Sequence, residues 1–406
     1  MSVGVRIISA SEHEAWLDQL GRGFFTHHAA GSSDYYLSTY EPSRSRGAFD
    51  GDAVVGTLRS FETELTVPGP STVSASALTA VTVAPTHRRR GLLTEMIKGD
   101  LKDSAERGEP VSILLASEYP IYGRFGYGVA TEHAKYEVST TGLRFLSPCE
   151  GTVELIDLPG VRKLAPPVYE QFRAAQPGSI GRGNEWWDRV LRQVEVPGAE
   201  PRKGFQAVYR SQSGDVDGYV LYAGMLSAGE FPPSGTLTIE ELVAITPAAY
   251  QALWEFCTSI DLTTKTIAPD RSTDEVLPLL VDDARKVRRV AQNDFLWVRI
   301  LDTCAALAAR RYACDGRIVI QVRDELAHAA GTFALEGSAT GAQCAATTDS
   351  PDLTVSVGAL GSAYLGGEAW TRLAAAGLVG EHKRGALALA DLMFMTPRVP
   401  LCTTYF

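Results

Sequence analysis

One segment constrains this chain more than any other. Residues 81–97 read VTVAPTHRRRGLLTEMI, in which Val81–Val83 predicts a buried strand, Pro85 a turn and the residues after Gly91 a helix. The first turn of a helix presents backbone N–H groups that lack intrahelical partners, and the helix dipole and Arg88–Arg90 add positive charge beside them. Such a loop favours an anion with clustered phosphates, and Gly91 lets the backbone approach it closely. A solvated helix start is the alternative interpretation.

The neighbouring residues place this segment in an alternating pattern of strands and helices. The helix that follows Gly91 is amphipathic and ends near Glu106. Val111–Ser117 then predicts a buried strand, and Tyr119–Tyr127 predicts an aromatic turn that ends in glycines. Before the segment, Asp50-Gly51 predicts a hairpin turn, and strands are expected at Val3–Ile8, Val54–Phe61, Thr63–Val67 and Ser74–Val83.

The basic loop resembles that of a known superfamily. Arg88-x-x-Gly91-x-Leu93 resembles motif A of the GNAT N-acetyltransferases, (Arg/Gln)-x-x-Gly-x-(Gly/Ala), although Leu93 departs from its last position. The longer string VTVAPTHRRRGLL is similar to the Eis-type branch, the enhanced intracellular survival proteins. The resemblance implies that acetyl-CoA is the co-substrate and that its binding residues are Val81, Thr82, Val83, Arg88, Arg89, Arg90, Gly91, Leu92, Leu93, Thr94, Ser117 and Glu118.

A second copy of the pattern follows without its basic residues. Residues 241–254 can be laid over 79–92, so that strand, proline and helix are retained while the arginine cluster and the glycine are absent. This predicts a second GNAT-like domain that does not bind CoA; two unrelated strand-proline-helix units are the alternative. Further along, Leu353-Thr354-Val355-Ser356-Val357 and Tyr364-Leu365-Gly366-Gly367 resemble the sterol carrier protein fold, from which sterol binding does not follow.

We therefore expect an α/β (α+β) protein of three domains. The predicted boundaries are 1–150 for a GNAT acetyltransferase domain, 151–290 for a degenerate GNAT-like domain and 291–406 for a sterol-carrier-protein-like domain. A chain of 406 residues is long enough for three such cores. The last of them ends in the apolar, proline-constrained tail TPRVPLCTTYF, which predicts a docked C-terminus or, alternatively, a closing edge strand.

Composition limits the partners and the compartment. The formal net charge of −10 argues against general binding of nucleic acid. No apolar run approaches the roughly 18 to 20 residues that span a bilayer, and the N-terminus lacks a signal pattern, so we expect a cytoplasmic protein without a membrane partner. The six cysteines form no Cys-x-x-Cys pair, so neither a metal site nor a disulfide is predicted.

Acetyl transfer to an amine needs an oxyanion site and an acid for the leaving thiolate. Backbone N–H groups of Val81–Val83 would bind the oxyanion if this strand splays away from its neighbour. Tyr122 is the candidate acid, because Ile121-Tyr122-x-x-x-Gly126-Tyr127 matches the Phe-Tyr-x-x-x-Gly-Phe pattern in which GNAT enzymes place a tyrosine near the CoA sulfur. Tyr119 and Tyr127 compete for this role.

The general base is less evident from local sequence. The resemblance to Eis proteins assigns it to the terminal carboxylate of Phe406, in a tail that enters the active site of the first domain. An α-carboxyl group has an ordinary pKa of about 3.3 to 3.7, so burial beside Tyr405 must raise that pKa if it is to act as a base. His27 and His28 are the alternative bases.

The substrate is where the resemblance is thinnest. Eis enzymes that acetylate aminoglycosides line the pocket with carboxylates after a phenylalanine of the first helix-loop and beside the terminal Phe. Here these places hold Phe25, His27 and Tyr405, which are the predicted substrate-binding residues. Aminoglycoside-like compounds, polyamines and lysine side chains all remain candidate amines, and the resemblance implies a hexamer. The rival functions are a non-catalytic acyl-CoA sensor or scaffold and a lipid carrier acting through the third domain.

Overall fold

The computed structural model describes residues 3–29, 31–39, 41–192, 204–227 and 234–406. The elements of the first part are β1 Val3–Ile7, α1 His13–Phe24, α2 Ser32–Thr39, β2 Ser45–Asp50, β3 Ala53–Val67, β4 Ser71–Val83, α3 Leu92–Glu106, β5 Val111–Leu115, β6 Gly128–Val129 and β7 Glu132–Ser139. The next are β8 Thr152–Leu155, α4 Leu158–Ala175, α5 Asn184–Val190, β9 Phe205–Arg210, β10 Val216–Leu226, β11 Gly235–Ala244, α6 Pro247–Ser259, β12 Thr263–Arg271, β13 Val287–Asp294 and β14 Leu296–Ile300. The last are α7 Thr303–Ala309, β15 Gly316–Arg323, β16 Gly331–Gly337, β17 Ala342–Ala346, β18 Leu353–Ser356, α8 Val357–Tyr364, α9 Trp370–Ala375, β19 Val379–Glu381 and α10 Ala386–Phe394.

The first sheet has the strand order β1-β2-β3-β4-β5-β14-β6. The predicted hairpin joins β2 to β3, where Gly51 has φ of 61° and Asp50 pairs with Ala53. The two strands predicted at 54–61 and 63–67 are one strand, because the ladder with β4 continues without a break past Glu62. Helix α3 buries Leu92, Met96, Ile97 and Leu101 against this sheet, as its amphipathic pattern predicted.

The second sheet has the order β13-β7-β12-β11-β10-β9-β8, so the two sheets exchange strands. Strand β7 follows the first sheet in sequence but pairs with β12 and β13 of the second. In return, β14 pairs antiparallel with β5 and β6 of the first sheet. Residues 291–302, which we expected to open the third domain, thus supply the end of β13 and all of β14. All five residues of β14 are buried, as a central strand covered on both faces requires.

A five-stranded sheet, β17-β16-β15-β18-β19, forms the third domain. Its helix α8 lies against β6 and β14 so closely that a Cβ atom at Gly128 would be 1.9 Å from the carbonyl oxygen of Gly358. Apolar side chains of both units join in one core, which includes Ile113, Val298 and Leu360. The third domain therefore packs directly against the first sheet and shares a core with it. No helix of the described ranges has the length and apolar character needed to cross a membrane.

The tail after α10 leaves the third domain and runs to the second. Leu401 N–H donates to the carbonyl of Pro177 at 2.9 Å, and Ser179 Oγ donates to the carbonyl of Leu401 at 3.1 Å. Leu401, Cys402 and Thr404 are buried. The C-terminus is docked, as the apolar composition of the tail predicted.

Candidate active site

The basic loop forms one wall of a cavity of about 1030 Å³. After β4 a short turn at Pro85–His87 leads into Arg88–Arg90, and the backbone then takes a left-handed conformation at Gly91, with φ of 81°. No side chain caps the N-terminus of α3. The three arginines are exposed, and within the described ranges no ion pair neutralises them. The helix dipole, the free N–H groups and these cations together make an anion site.

Strand β4 splays away from β5 beside this loop. The two strands pair only from Ala75 to Leu78, so residues 79–83 leave the ladder on that side. On the other side, the ladder with β3 is shifted by a bulge at Ala80, which has φ of 55°. Thr57 Oγ1 stabilises the bulge by donating to the carbonyl of Ala80 at 2.8 Å. Val81, Thr82 and Val83 of this splayed segment line the cavity.

Tyr122 lines the same cavity and is only 7% exposed. Burial, with a smaller contribution from the negative charge of Glu118, raises the pKa of Tyr122 to about 12. The phenol is therefore neutral at physiological pH and retains a proton to donate. Tyr119 is 62% exposed, and the hydroxyl of buried Tyr127 is hydrogen-bonded to Ser112 at 2.7 Å. Of these three tyrosines, only Tyr122 faces either cavity.

A second cavity of about 840 Å³ meets the first at the C-terminal residue. Phe406 lines both cavities, and its ring packs edge-on against Phe61 with centroids 5.5 Å apart. Phe24, Thr79 and Ala80 are also common to the two linings. The last residue of the chain therefore sits where two ligands, one in each cavity, would come together.

Most of the predicted site residues meet in the first cavity, and two do not. Its lining includes Phe25, Val81, Thr82, Val83, Arg88, Arg89, Gly91, Leu92, Leu93, Thr94, Ser117, Glu118, Tyr122, Tyr405 and Phe406. Arg90 and His27 line neither cavity, and His27 is exposed. His28, the other histidine considered as a base, lines the second cavity.

One histidine of the first cavity has no local sequence signal. His133 lies on β7 with its Nδ1 2.9 Å from a carboxylate oxygen of Asp270 on β12, and its ring packs on Phe295 at 4.8 Å. The same Asp270 oxygen accepts a hydrogen bond from the Tyr405 hydroxyl at 3.0 Å. His133 and Asp270 are 137 residues apart, and only the exchange of β7 into the second sheet brings them together.

Models of known protein families match the chain in three places. They are an acetyltransferase (GNAT) domain at residues 4–130, a second acetyltransferase (GNAT) domain at 178–300 and a sterol carrier protein domain at 303–403. Along its whole length, the chain is 41% identical over 421 residues to an uncharacterized N-acetyltransferase of Streptomyces griseus, with 100% of both chains covered. It is 33% identical to the N-acetyltransferase Eis of Mycobacterium tuberculosis over 368 residues, covering 88% of this chain and 87% of that protein.

This chain belongs to the Eis family of GNAT N-acetyltransferases. The crystal structure of Eis1 from Mycobacterium abscessus has a TM-score of 0.88 to this chain at 36% identity, covering 99% of this chain and 100% of that one. The prediction of two tandem GNAT-like domains followed by a sterol-carrier-protein-like domain is confirmed. As an Eis-family member the protein is an N-acetyltransferase, and enzymes of the GNAT class use acetyl-CoA.

Proposed function

We propose that the protein transfers the acetyl group of acetyl-CoA to a primary amine, with CoA in the first cavity and the amine in the second. The observation that carries this proposal is the meeting of the two cavities at Phe406, with Tyr122 on the cofactor side. The uncapped helix and the exposed arginines fit the pyrophosphate of CoA, and the split between β4 and β5 fits its extended pantetheine arm.

Each chemical requirement has a candidate residue. Acetyl-CoA supplies an activated thioester. The terminal carboxylate of Phe406 accepts the proton that the incoming ammonium loses to become a nucleophilic amine, and the second nitrogen proton passes to solvent as the tetrahedral intermediate collapses to the amide. Backbone N–H groups of Val81–Val83 stabilise the developing negative charge on the carbonyl oxygen. Tyr122, which is protonated at physiological pH, gives its proton to the leaving sulfur.

The charges of the second cavity favour an amine of low total charge. Its lining holds four arginines, Arg59, Arg173, Arg182 and Arg189, and four glutamates, Glu62, Glu64, Glu170 and Glu185. Arg173 pairs with both Glu64 (3.1 Å) and Glu170 (2.7 Å), so two of these carboxylates are already engaged. The remaining lining includes seven aromatic side chains, Trp16, Phe24, Tyr35, Tyr36, Phe61, Trp186 and Phe406. A polycation such as an aminoglycoside would find little net negative charge here, which favours monoamines or a single lysine side chain.

The test is an acetyl-CoA consumption assay over monoamines, polyamines, aminoglycosides and lysine-containing peptides. We expect turnover of at least one primary amine, with monoamines ahead of aminoglycosides in kcat/KM. Tight acetyl-CoA binding without turnover of any amine would favour the acyl-CoA sensor instead. The hexameric assembly and the cytoplasmic location remain predictions, and light scattering of the purified protein checks the first.

A further inference from the structure

We propose that the second GNAT-like domain acts as a clamp for the C-terminal tail, and that Arg182 is a positioning residue that holds the Phe406 carboxylate at the junction of the two cavities. This inference rests on the proposed function of that carboxylate as the base. On this inference, the second GNAT-like domain, which lacks the basic loop, contributes to the reaction that the first domain catalyses.

Arg182 reaches three groups of the tail or its immediate surroundings. Its Nε donates to Thr404 Oγ1 at 2.9 Å, and one terminal nitrogen lies 3.3 Å from Thr403 Oγ1 and 3.4 Å from the Thr403 carbonyl. The Arg182 side chain is fully buried. A guanidinium has a rigid, planar fork of donors, so bonding in several directions fixes the tail in orientation as well as in position.

The second domain holds Arg182 itself in place. Glu241 on β11 accepts two hydrogen bonds from the guanidinium, at 2.6 and 3.1 Å, and it also accepts one from the Tyr219 hydroxyl at 2.8 Å. Aromatic rings of Tyr169 and Trp186 lie 3.7 and 4.0 Å from the guanidinium carbon. Because the ion pair and the stacked rings satisfy its charge in a buried place, Arg182 has one orientation available to it.

Other groups of the second domain bind Thr404 and Tyr405. Trp186 Nε1 on α5 donates to the Tyr405 carbonyl at 3.2 Å. Asp270 on β12 accepts a hydrogen bond from the Tyr405 hydroxyl at 3.0 Å, and Tyr169 and Thr404 share a contact between their hydroxyls at 3.0 Å. From Thr403 to Tyr405 every residue is therefore hydrogen-bonded to the second domain, and Phe406 extends beyond this point to pack on Phe61 of the first sheet.

The position of the clamp matches what a tethered base requires. A terminal carboxylate on a free chain end would lose most of its effectiveness, because a displacement of about 1 Å in a reacting group can cost roughly 100-fold in rate. The first sheet contributes an edge-on ring contact to the last residue, and the polar, directional contacts come from the second domain. The second domain thus orients the Phe406 carboxylate, and the first domain supplies the surface at which acetyl transfer takes place.

The test compares full-length variants by single-turnover acetylation and by equilibrium binding of acetyl-CoA. Arg182→Met combined with Glu241→Gln removes both charges of the buried pair and leaves neither unpaired. Thr404→Val keeps the packing volume of the tail but removes the hydroxyl that Arg182 and Tyr169 contact. We expect the rate of the chemical step to fall by about 10- to 100-fold in the double variant and by less in Thr404→Val, with acetyl-CoA affinity unchanged.

The matched control is another buried ion pair, Arg44 with Glu109, whose side chains are 4% and 3% exposed and which lines neither cavity. Arg44→Met combined with Glu109→Gln should lower stability without lowering the chemical rate. If the rate of the chemical step fell equally in both double variants, the effect of the Arg182 substitution would be explained by lost stability alone. That result would overturn the clamp.

A chain that ends at Tyr405 separates this inference from the proposed function. In that chain the positioned group is gone, so the Arg182 and Glu241 substitutions should cause no further loss of its residual activity. An equal further loss would overturn the clamp. Full activity of the truncated chain would overturn the base assignment itself, whereas an inactive truncated chain beside a fully active Arg182 variant would overturn the clamp alone.

Discussion

In each of the first two sheets, one strand separates from its parallel neighbour part-way along its length. The gap between the strands is open in the first sheet, whereas an arginine side chain occupies it in the second. Strand β4 pairs with β5 only as far as Leu78, and β11 pairs with β12 only as far as Thr238. Each strand then carries a bulge shortly after the split. In the first sheet the splayed residues line the first cavity. In the second, the Arg271 side chain, which is 11% exposed, donates to the Leu242 carbonyl at 2.7 Å.

The connections to the following helices differ in the same way. Eight residues, 84–91, separate β4 from α3, and the helix begins at a glycine that offers no cap. Only residues 245 and 246 separate β11 from α6, where Pro247 takes the first position and the Thr246 side chain caps Ala249 N–H at 3.3 Å. A self-capped helix start has fewer N–H groups left for an anion. Two sheets of similar topology thus differ in the connection and in the split, the two features on which the proposed CoA site depends.

The largest effect is expected at the junction of the two cavities, where Phe406 packs on Phe61 of the first sheet. Extending the chain by one residue after Phe406 should reduce turnover by about 10³- to 10⁴-fold, because the carboxylate would move away from the meeting point of the cavities. Circular dichroism and acetyl-CoA binding should be unchanged. A fully active extended protein would falsify the terminal carboxylate as the base.

Substitution of the acid is expected to have the next largest effect. Tyr122→Phe should lower the rate of the chemical step by about 10²- to 10³-fold while acetyl-CoA binding stays within a few-fold, since the ring is kept and only the proton is lost. Rapid-quench kinetics measure this step directly. Tyr127→Phe is the control, because its hydroxyl bonds to Ser112 and lies outside both cavities. Equal rates for Tyr122→Phe and the native protein would remove the acid from the mechanism.

Substitutions in the two strand-to-helix connections, residues 84–91 and 245–246, test whether only the first connection binds acetyl-CoA. Arg88→Gln with Arg89→Gln should weaken acetyl-CoA binding by about 10- to 100-fold, as charge-assisted bonds to the pyrophosphate are lost. Thr246→Ala at the second connection should leave that affinity unchanged and lower the free energy of unfolding by about 1 kcal/mol through loss of a helix cap. Isothermal titration and denaturant unfolding make the two measurements. If both changes weakened binding alike, the functional contrast between the sheets would fail.

The smallest effect concerns the helices that follow the two connections. Helix α3 buries Asp100, whose pKa is raised to about 6 by burial, whereas α6 buries Leu253, Trp254 and Cys257. Because the folded protein holds this proton more tightly than the unfolded chain, the contribution of Asp100 to stability is largest at low pH and is lost as pH rises from about 4 to about 6. Asp100→Asn should therefore raise the free energy of unfolding by about 1 to 3 kcal/mol at pH 7.5 and by little at pH 4. A gain of the same size at both pH values would contradict this origin.

Local features of the sequence predicted a large part of this architecture. The run from Val81 to Ile97 predicted the strand, loop and helix, because β-branched residues, proline and glycine act on the backbone within a few positions. The aromatic turn that contains Tyr122 was predicted in the same way, from the glycines close to it in sequence. The exchange of β7 and β14 left no comparable trace, since β7 alternates polar and apolar residues, β14 is short and mostly apolar, and neither pattern specifies a partner strand.

What the sequence by itself determined was therefore the basic loop at Arg88–Gly91 and the order of the domains. Only the tertiary structure decided that Phe406 lies where two cavities meet, that His133 faces Asp270, and that Arg182 holds Thr404, which lies 222 residues further along the chain. The physical reason is the range of the forces involved. Loop conformation is set by neighbouring residues, whereas the position of a chain end depends on burial and hydrogen bonds among segments that meet only after the sheets have formed.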